Sequence, residues 1–370
     1  MLKPVKIAIL SCNHGHAKGY YPLIHDPMFE VVAVSIAPGY EGGENMEMLT
    51  HLPQYSTDEE LYANHPDLEA VILASDNISH MRQVRDAVKR GLHIFSMKIP
   101  TFDMAEYEEM IRLTEDAGLV FQVELEMRHH APVYRVKELL ESGAIGELLS
   151  INMVNYSHNP VWWWPWMCNP EQSYGKRVSL RLGDGRFRGG ALADHPHLFD
   201  LIRYITGSEF ECVYADVSPN IRENVETEDM IRVIGRLQSG VIYSIDPSYA
   251  NNEDHVTKMI GMDWIKYPRC VEVFLTAVGT EGVIIADLYG KTYCYQKSSN
   301  GKYTASGLAS SGLWNRRMEE FYACIRKGCK PTVGLREHYR SILAMNAAYD
   351  SIAAGGPIYL DNIKEEIVCL

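Results

Sequence analysis

Between residues 5 and 125 the sequence alternates short apolar runs with amphipathic stretches, and few folds accommodate that order. Residues 5–10, 30–36, 70–74, 92–95 and 119–123 have the length and apolar content of buried strands. Residues 78–90 and 104–117 show helical spacing, and Gly91 and Gly118 stand where helix-ending glycines belong. Short apolar strands separated by helices predict βαβ units and a parallel sheet, because a crossover helix must return the chain to the same edge of each strand.

After about residue 125 the pattern changes. One helix, 131–141, precedes longer runs at 148–156, 209–217, 230–237, 241–248, 271–275, 282–286 and 292–296. Strands in series predict an open, mostly antiparallel sheet. A helix at 190–206 interrupts them, and helices at 314–327 and 335–354 follow. The expected fold class is α/β, with an N-terminal Rossmann-like domain over 1–126 and an α/β domain over 127–370. The helix at 335–354 is expected to pack back on the first domain.

The formal net charge of -13 argues against a nucleic-acid or anionic-membrane partner, since no basic surplus exists to meet phosphates. Arg177, Arg181, Arg186 and Arg188 cluster in a region that reads as a loop near a small polar ligand or an interface. The 8 cysteines are dispersed without a Cys-x-x-Cys pair, which fits a reducing cytoplasm better than a disulfide or zinc framework. The first apolar run is too short for a signal peptide and contains Lys6, so a cytoplasmic location is expected.

Three segments carry candidate chemistry. Ser11-Cys12-Asn13-His14-Gly15-His16 follows the first strand, where a dinucleotide fold places its phosphate-cradling turn. The usual glycines are replaced, although Asn tolerates left-handed backbone and Ser can donate to phosphate. The second strand ends in Ser35-Ile36-Ala37-Pro38, with neither the carboxylate expected for an NAD ribose nor the Arg expected for a 2′-phosphate. Gly189-Gly190-Ala191-Leu192-Ala193-Asp194-His195-Pro196-His197 opens an apolar-striped helix. If continuous, that helix would put Asp194, His197 and Leu201 on one face, a carboxylate beside an imidazole. Pro196 suits a first turn and would kink a helix already under way. His195 reads either as a substrate contact or as a cap. Asp200 is expected to pair with Arg203 or its surroundings. Trp162-Trp163-Trp164-Pro165-Trp166 reads either as a subunit contact or as a platform for a sugar ring or aromatic aglycone. The two His-x-His pairs, His14 with His16 and His195 with His197, do not by themselves supply three or four converging metal ligands, so no metal is expected.

Asn77, His80, Gly91, His93, Lys98 and Pro100 match the Thr-Pro-Asn-x-x-His, Gly-Lys-His-Val and Glu-Lys-Pro segments of the Gfo/Idh/MocA oxidoreductases. Met97 replaces the Glu, and Ile99 is extra before the Pro. Val133, Lys137-Glu138-Leu139, Gly143 and Gly146 resemble that family's linker helix. Gly189-Gly190, Asp194, His197, Asp200-Leu201 and Arg203 resemble its catalytic helix, one residue shorter between the Asp and the His. Gly279-Thr280-Glu281-Gly282 resembles its Gly-Thr-x-Gly turn. The resemblance spans nearly the whole chain in the family's order.

That resemblance implies hydride transfer between NAD(P) and a hydroxyl of a sugar, cyclitol or glycoside. Lys98, Asp194 and His197 would be catalytic, with His197 the general acid/base. Ser11, Asn13, His14, Gly15, His16, Ser35, Ser75, Asn77, His80 and Lys98 would bind the cofactor, with NAD favoured and NADP open. Tyr156, His158, Trp163, Arg188 and His195 would frame the substrate. A homo-oligomer formed through the second domain's sheet is expected. Two other functions stay open: a redox-neutral lyase, hydrolase or epimerase with tightly held NAD, and a non-catalytic dinucleotide sensor.

Overall fold

The computed structural model describes residues 3–12, 17–36, 51–157, 188–220, 226–249, 271–298, 301–308 and 316–360. The chain forms two compact units, residues 1–125 with 315–339, and residues 126–314 with 340–370.

The first unit holds a six-stranded parallel sheet of β1 (Val5–Leu10), β2 (Phe29–Ser35), β3 (Gln54–Tyr55), β4 (Ala70–Leu73), β5 (His93–Ser96) and β6 (Phe121–Val123), in the order β3-β2-β1-β4-β5-β6. This is the Rossmann arrangement that the alternating pattern predicts. The strands read as mostly apolar runs, interrupted at Lys6 in β1 and Glu30 in β2, because both faces of the sheet are largely covered. Helix Asn77–Lys89 starts where Asp76 Oδ1 accepts from Ser79 N at 2.9 Å, and helix Met104–Asp116 where Asp103 Oδ1 accepts from Ala105 N at 2.9 Å. Gly91 and Gly118 follow these helices with φ of 68° and 63°, the left-handed conformation that only glycine adopts cheaply.

Three short elements were not expected: a 3-10 helix at Ala17–His25, strand β3 and helix Asp58–Asn64. The last carries a readable signal. Thr57 Oγ1 accepts from Glu60 N at 3.1 Å while Glu60 Oε2 accepts from Ser56 N at 3.2 Å, a variant of the capping box. The helix Arg316–Lys327 belongs to this unit and places Phe321 in its core, edge-on to Phe95 at 5.4 Å.

The second unit is built on β7 (Leu148–Ser157), β8 (Phe210–Val217), β9 (Ile231–Leu237), β10 (Ile242–Ser248), β11 (Val271–Gly279), β12 (Gly282–Asp287), β13 (Thr292–Lys297), β14 (Tyr303–Leu308) and β15 (Ile358–Tyr359). Their order is β14-β13-β12-β11-β7-β10-β9-β8-β15. Only β7 and β10 pair in parallel, so the sheet is open, mixed and mostly antiparallel. Side chains alternate across it. Ile151, Met153, Asn155 and Ser157 point to the face covered by helices, and all four are buried. The other face carries an in-register row, Tyr214, Ile234, Ser244, Asn152, Thr276, Ile285 and Tyr293, running across seven strands. Ile234 is 46 % exposed and Ile285 41 %.

A buried ion pair ties the covering helices together. Arg128, on the 3-10 turn Glu126–His129, donates Nε and Nη2 to Asp200 Oδ2 and Oδ1, both at 2.6 Å. The two side chains are 4 % and 1 % exposed. Asp200 therefore does not pair with Arg203. That guanidinium instead bonds Glu209 at 2.6 and 2.8 Å. Of the two expected partners, Arg203 or the surroundings, the structure takes the second, through a fork from a segment 72 residues away.

Removing one partner of a buried pair leaves an unneutralised charge. Asp200→Ala should lower unfolding free energy by about 3–5 kcal/mol in urea denaturation, whereas Arg128→Met with Asp200→Leu should cost clearly less. Equal losses in the single and double variants would show that the pair contributes no specific stabilisation.

Candidate active site

In the first unit the chain leaves β1 and returns through β2 on one side and β4 on the other. The C-terminal ends of β1 and β4 therefore bound the crevice where such sheets take dinucleotides. Ser11 and Cys12 leave β1 with φ of 69° and 48°, so a Ser and a Cys adopt the backbone region usually given to glycine. A buried polar network supports this turn. Ser11 N donates to Ser35 Oγ at 2.8 Å, and Ser35 Oγ donates to Asp58 Oδ1 at 2.5 Å. Gln83 Nε2 donates to Ser11 Oγ at 2.9 Å and to Asp58 Oδ2 at 3.0 Å, while Ser75 Oγ donates to Gln83 Oε1 at 2.6 Å. Three residues expected at the cofactor, Ser11, Ser35 and Ser75, are thus joined across the switch point. Gln83 and Asp58, which join them, lie on helices and carry no local motif.

The structure also revises the end of β2. Asp58 brings a buried carboxylate to Ser35, where it also bonds Gln83 and Arg82, whose cation lies 2.9 Å away. Asp58, Glu59 and Asp86 surround Arg82 at 2.9, 3.7 and 3.7 Å, so its charge is already balanced. Arg82 is thus a cation beside the end of β2 that residues 34–38 do not reveal. The crevice at the switch point, with a left-handed turn off β1, fits a dinucleotide. Asn13, His14, Gly15 and His16 lie outside the described residues.

Lys98 follows β5 in a buried turn, and Ile99, the residue extra to the family pattern, succeeds it through a cis peptide bond. His80, on helix Asn77–Lys89, anchors the turn: Nδ1 lies 3.0 Å from Pro100 O and 3.2 Å from Ile99 O. Donation to those carbonyls places the proton on Nδ1. Burial disfavours the imidazolium and pushes the His80 pKa down. His80, expected to line the cofactor, is instead wholly buried and holds the loop that carries Lys98. Asn77 occupies the first turn of the same helix and is buried.

In the second unit the 190–206 segment is two helices, Ala191–Asp194 and His197–Thr206. His195 sits between them at φ -116° and ψ 50°, as a residue before proline is driven from the helical region. Pro196 then opens the second helix. The break removes Asp194 and His197 from a common helical face. Leu198, Leu201, Ile202 and Ile205 bury the expected apolar stripe, and Gly207 ends the helix at φ 65°.

Each group on this segment meets a partner distant in sequence. His195 Nδ1 lies 3.0 Å from Asn155 Nδ2, and its Nε2 3.1 Å from Ser157 Oγ, both on β7. The His195 side chain therefore bonds to the sheet, while its backbone N–H caps helix Ala191–Asp194 by donating to Leu192 O. His197 is 1 % exposed, with Nε2 3.4 Å from Glu126 Oε1. Sequence reasoning missed Glu126, which belongs to none of the matched segments. Glu228 Oε1 accepts from Gly190 N at 3.0 Å, Leu192 N at 3.3 Å and Tyr349 Oη at 2.6 Å. Burial pushes the Glu228 carboxyl up to about 7 against these hydrogen bonds. A Cβ on Gly190 would meet Glu228 O at 2.0 Å, so only glycine fits there.

Other expected substrate residues lie elsewhere. Tyr156 shares the open face of β7, opposite Asn155 and Ser157, and its Oη donates to Asp246 Oδ2 at 3.2 Å. The period-two rule separates it from His195. Arg188 Nη1 pairs with Asp350 Oδ1 at 3.0 Å. His158 and Trp163, with the rest of the Trp162–Trp166 cluster and Arg177, Arg181 and Arg186, lie outside the described residues. Among the described residues no three His, Cys, Asp or Glu side chains are grouped to hold a metal ion. Nor is any helix there long and apolar enough to cross a membrane.

Residues 6–125 match the model of the oxidoreductase family with an NAD-binding Rossmann fold, and residues 133–285 match the GFO/IDH/MocA C-terminal domain. The chain belongs to the Gfo/Idh/MocA oxidoreductase family. It is 27% identical over 306 residues to a myo-inositol 2-dehydrogenase of Thermotoga maritima, covering 80% of this chain and 81% of that one. It is 27% identical over 151 residues to a 2,7-anhydro-N-acetylneuraminate hydratase of Mediterraneibacter gnavus, covering 41% of this chain and 37% of that one. Levoglucosan dehydrogenase, solved with NADH and levoglucosan, has the same fold, with a TM-score of 0.74 at 19% identity over 97% of this chain and 100% of that one.

Glu228 makes a testable link between this segment and pH. Its folded pKa lies above the usual 4.5, so the neutral form stabilises the fold. That contribution is complete below about 4.5 and is lost as pH rises through about 7. Glu228→Gln keeps the accepting oxygen and cannot ionise. Thermal unfolding at about pH 5 and pH 8 should show a smaller loss for Glu228→Gln than for the native chain. Parallel slopes would place the titrating group elsewhere.

Proposed function

We propose that this chain is a nicotinamide-dependent oxidoreductase that transfers hydride between NAD and a hydroxyl of a sugar, cyclitol or glycoside. The observation that carries the reading is the pairing of a family-matched buried imidazole, His197, with a carboxylate. The myo-inositol and levoglucosan dehydrogenase relatives supply the substrate class. Bound nicotinamide would accept or deliver the hydride. His197 takes the hydroxyl proton, and its position beside Glu126 favours the imidazolium that results. The Lys98 ammonium stabilises the developing alkoxide. The family match would give an assisting role to Asp194, which the helix break sets apart from His197.

A second reading is favoured by the hydratase relative: tightly held NAD oxidises and re-reduces one carbon within each turnover, without net redox. Release of NADH with free NAD separates the two. Lys98→Ala and His197→Ala should each lower kcat by about 10²-fold or more, the scale of a positioned acid/base. NAD affinity, measured by calorimetry, should survive His197→Ala. Near-normal turnover in His197→Ala would remove it from proton transfer. Failure to bind either dinucleotide would overturn both catalytic readings.

The open sheet face supports the proposed homo-oligomer. Tyr214 with Ile234, and Ile285 with Tyr293, expose apolar area at the two ends of one row whose middle is Ser244, Asn152 and Thr276, a pattern that a second copy could cover. A charge placed in such a row must be desolvated to associate. Ile234→Lys should shift sedimentation from oligomer to monomer without lowering the thermal midpoint by more than about 2 °C. An unchanged oligomer would place the contact elsewhere.

A further inference from the structure

Two buried bridges connect the same pair of elements. The 3-10 turn Glu126–His129 and the helix His197–Thr206 are joined by Arg128 with Asp200, and by Glu126 with His197. On the turn, Glu126 and Arg128 are two residues apart. On the helix, His197 and Asp200 are three apart and share a face. The fork between Arg128 and Asp200 is bidentate, so it fixes the rotation and height of the helix against the turn. With that register set, Glu126 Oε1 stands 3.4 Å from His197 Nε2.

We propose that Glu126 is the positioning residue of His197: its carboxylate orients the imidazole and stabilises its protonated form, in a register set by the Arg128–Asp200 fork. This deepens the acid/base reading of His197 and rests on it. It assigns to Glu126 the part that family resemblance gives to Asp194.

Among the described residues, several other ionisable groups near this helix have partners of their own; on the helix itself Arg203 bonds Glu209. Arg128 and Asp200 neutralise one another. On the packed helix Ala131–Glu141, Arg135 pairs with Glu138 at 2.6 Å and Lys137 with Glu141 at 3.2 Å. On β7, Tyr156 faces the opposite side of the sheet. His129 closes the 3-10 turn, with Nδ1 3.3 Å from Tyr134 Oη. Asp194 and His195 precede His197 across the helix break, with His195 bonded to Asn155 and Ser157. Glu126 and Asp194 are thus the two carboxylates to be told apart.

Histidine NMR on the full chain tells them apart without substrate, with the His197 resonance assigned by its loss in His197→Asn. Glu126→Gln should lower the His197 titration midpoint by about one pH unit, as expected for losing a carboxylate at this distance. Glu126→Asp should fall between Glu126→Gln and the native chain, and Asp194→Asn should shift the midpoint less than Glu126→Gln. In turnover, Glu126→Gln should lower kcat by about 10-fold or more with KM nearly unchanged, and move the acid limb of kcat/KM to lower pH. An unmoved His197 midpoint in folded Glu126→Gln, or a larger shift in Asp194→Asn, would overturn the proposal. A shifted midpoint with unchanged kcat would support the pair and instead remove His197 from catalysis.

Discussion

The fork between Arg128 and Asp200 is the interaction on which the second unit's chemistry depends. A helix that buries Leu198, Phe199, Leu201, Ile202 and Ile205 is held in the core by apolar contact, but such contact is tolerant of rotation. Two short hydrogen bonds from one rigid guanidinium are not tolerant, because the planes of both groups must coincide. The ion pair therefore supplies orientation where hydrophobic burial supplies cohesion. Lys137 adds to the same docking: its ammonium donates to Tyr204 O at 2.9 Å and lies 4.9 Å over the Tyr204 ring.

The first unit solves a different problem. A dinucleotide turn needs left-handed backbone, and this chain gives that backbone to Ser11 and Cys12. Such residues carry a conformational cost that glycine avoids, of order 1 kcal/mol each. The cost is offset locally by the network of Ser35, Asp58, Ser75 and Gln83, which holds Ser11 by its backbone N–H and its hydroxyl. Missing glycines are thus consistent with an intact turn, since the network over-determines the geometry that glycine would merely permit. The same network ties the end of β2 to the next helix, with Asp58 accepting from Ser35.

What was legible in the sequence followed local periodicity. Strands β1, β2, β4 and β5, the helices with Asp76 and Asp103 as caps, and the stripe of helix His197–Thr206 each announce themselves within about ten residues. Helix Asp58–Asn64 announced itself only through Thr57 and Glu60, and its seven residues are too few for a periodic stripe. The candidate site was legible in its residue types and not in its pairings. Pro196 signalled the helix break, yet nothing near His197 pointed to Glu126, because that contact spans two elements. Tyr156 was misplaced by one step of a strand. Its neighbours Asn155 and Ser157 reach His195, and only the sheet's covered face decides between odd and even positions.

These pairings share a physical origin. A helix of four residues has no interior, so its first N–H groups find no partner within it. Around Ala191–Asp194 those N–H groups belong to Gly190 and Leu192, and Glu228 accepts from both. Water cannot serve there, because the segment is buried throughout. An apolar residue at 228 would leave three buried donors, these two N–H groups and Tyr349 Oη, without their acceptor, at a cost that packing does not recover. The break at Pro196 creates this need, and the same break frees His195 to bond β7 instead of a helical turn. Residues at or before the break are thus tied to β7 and to Glu228, and those after it to the 3-10 turn. A segment tied at both sides of a kink keeps its ionisable groups in place before any substrate binds, which is what a proton-transfer site requires.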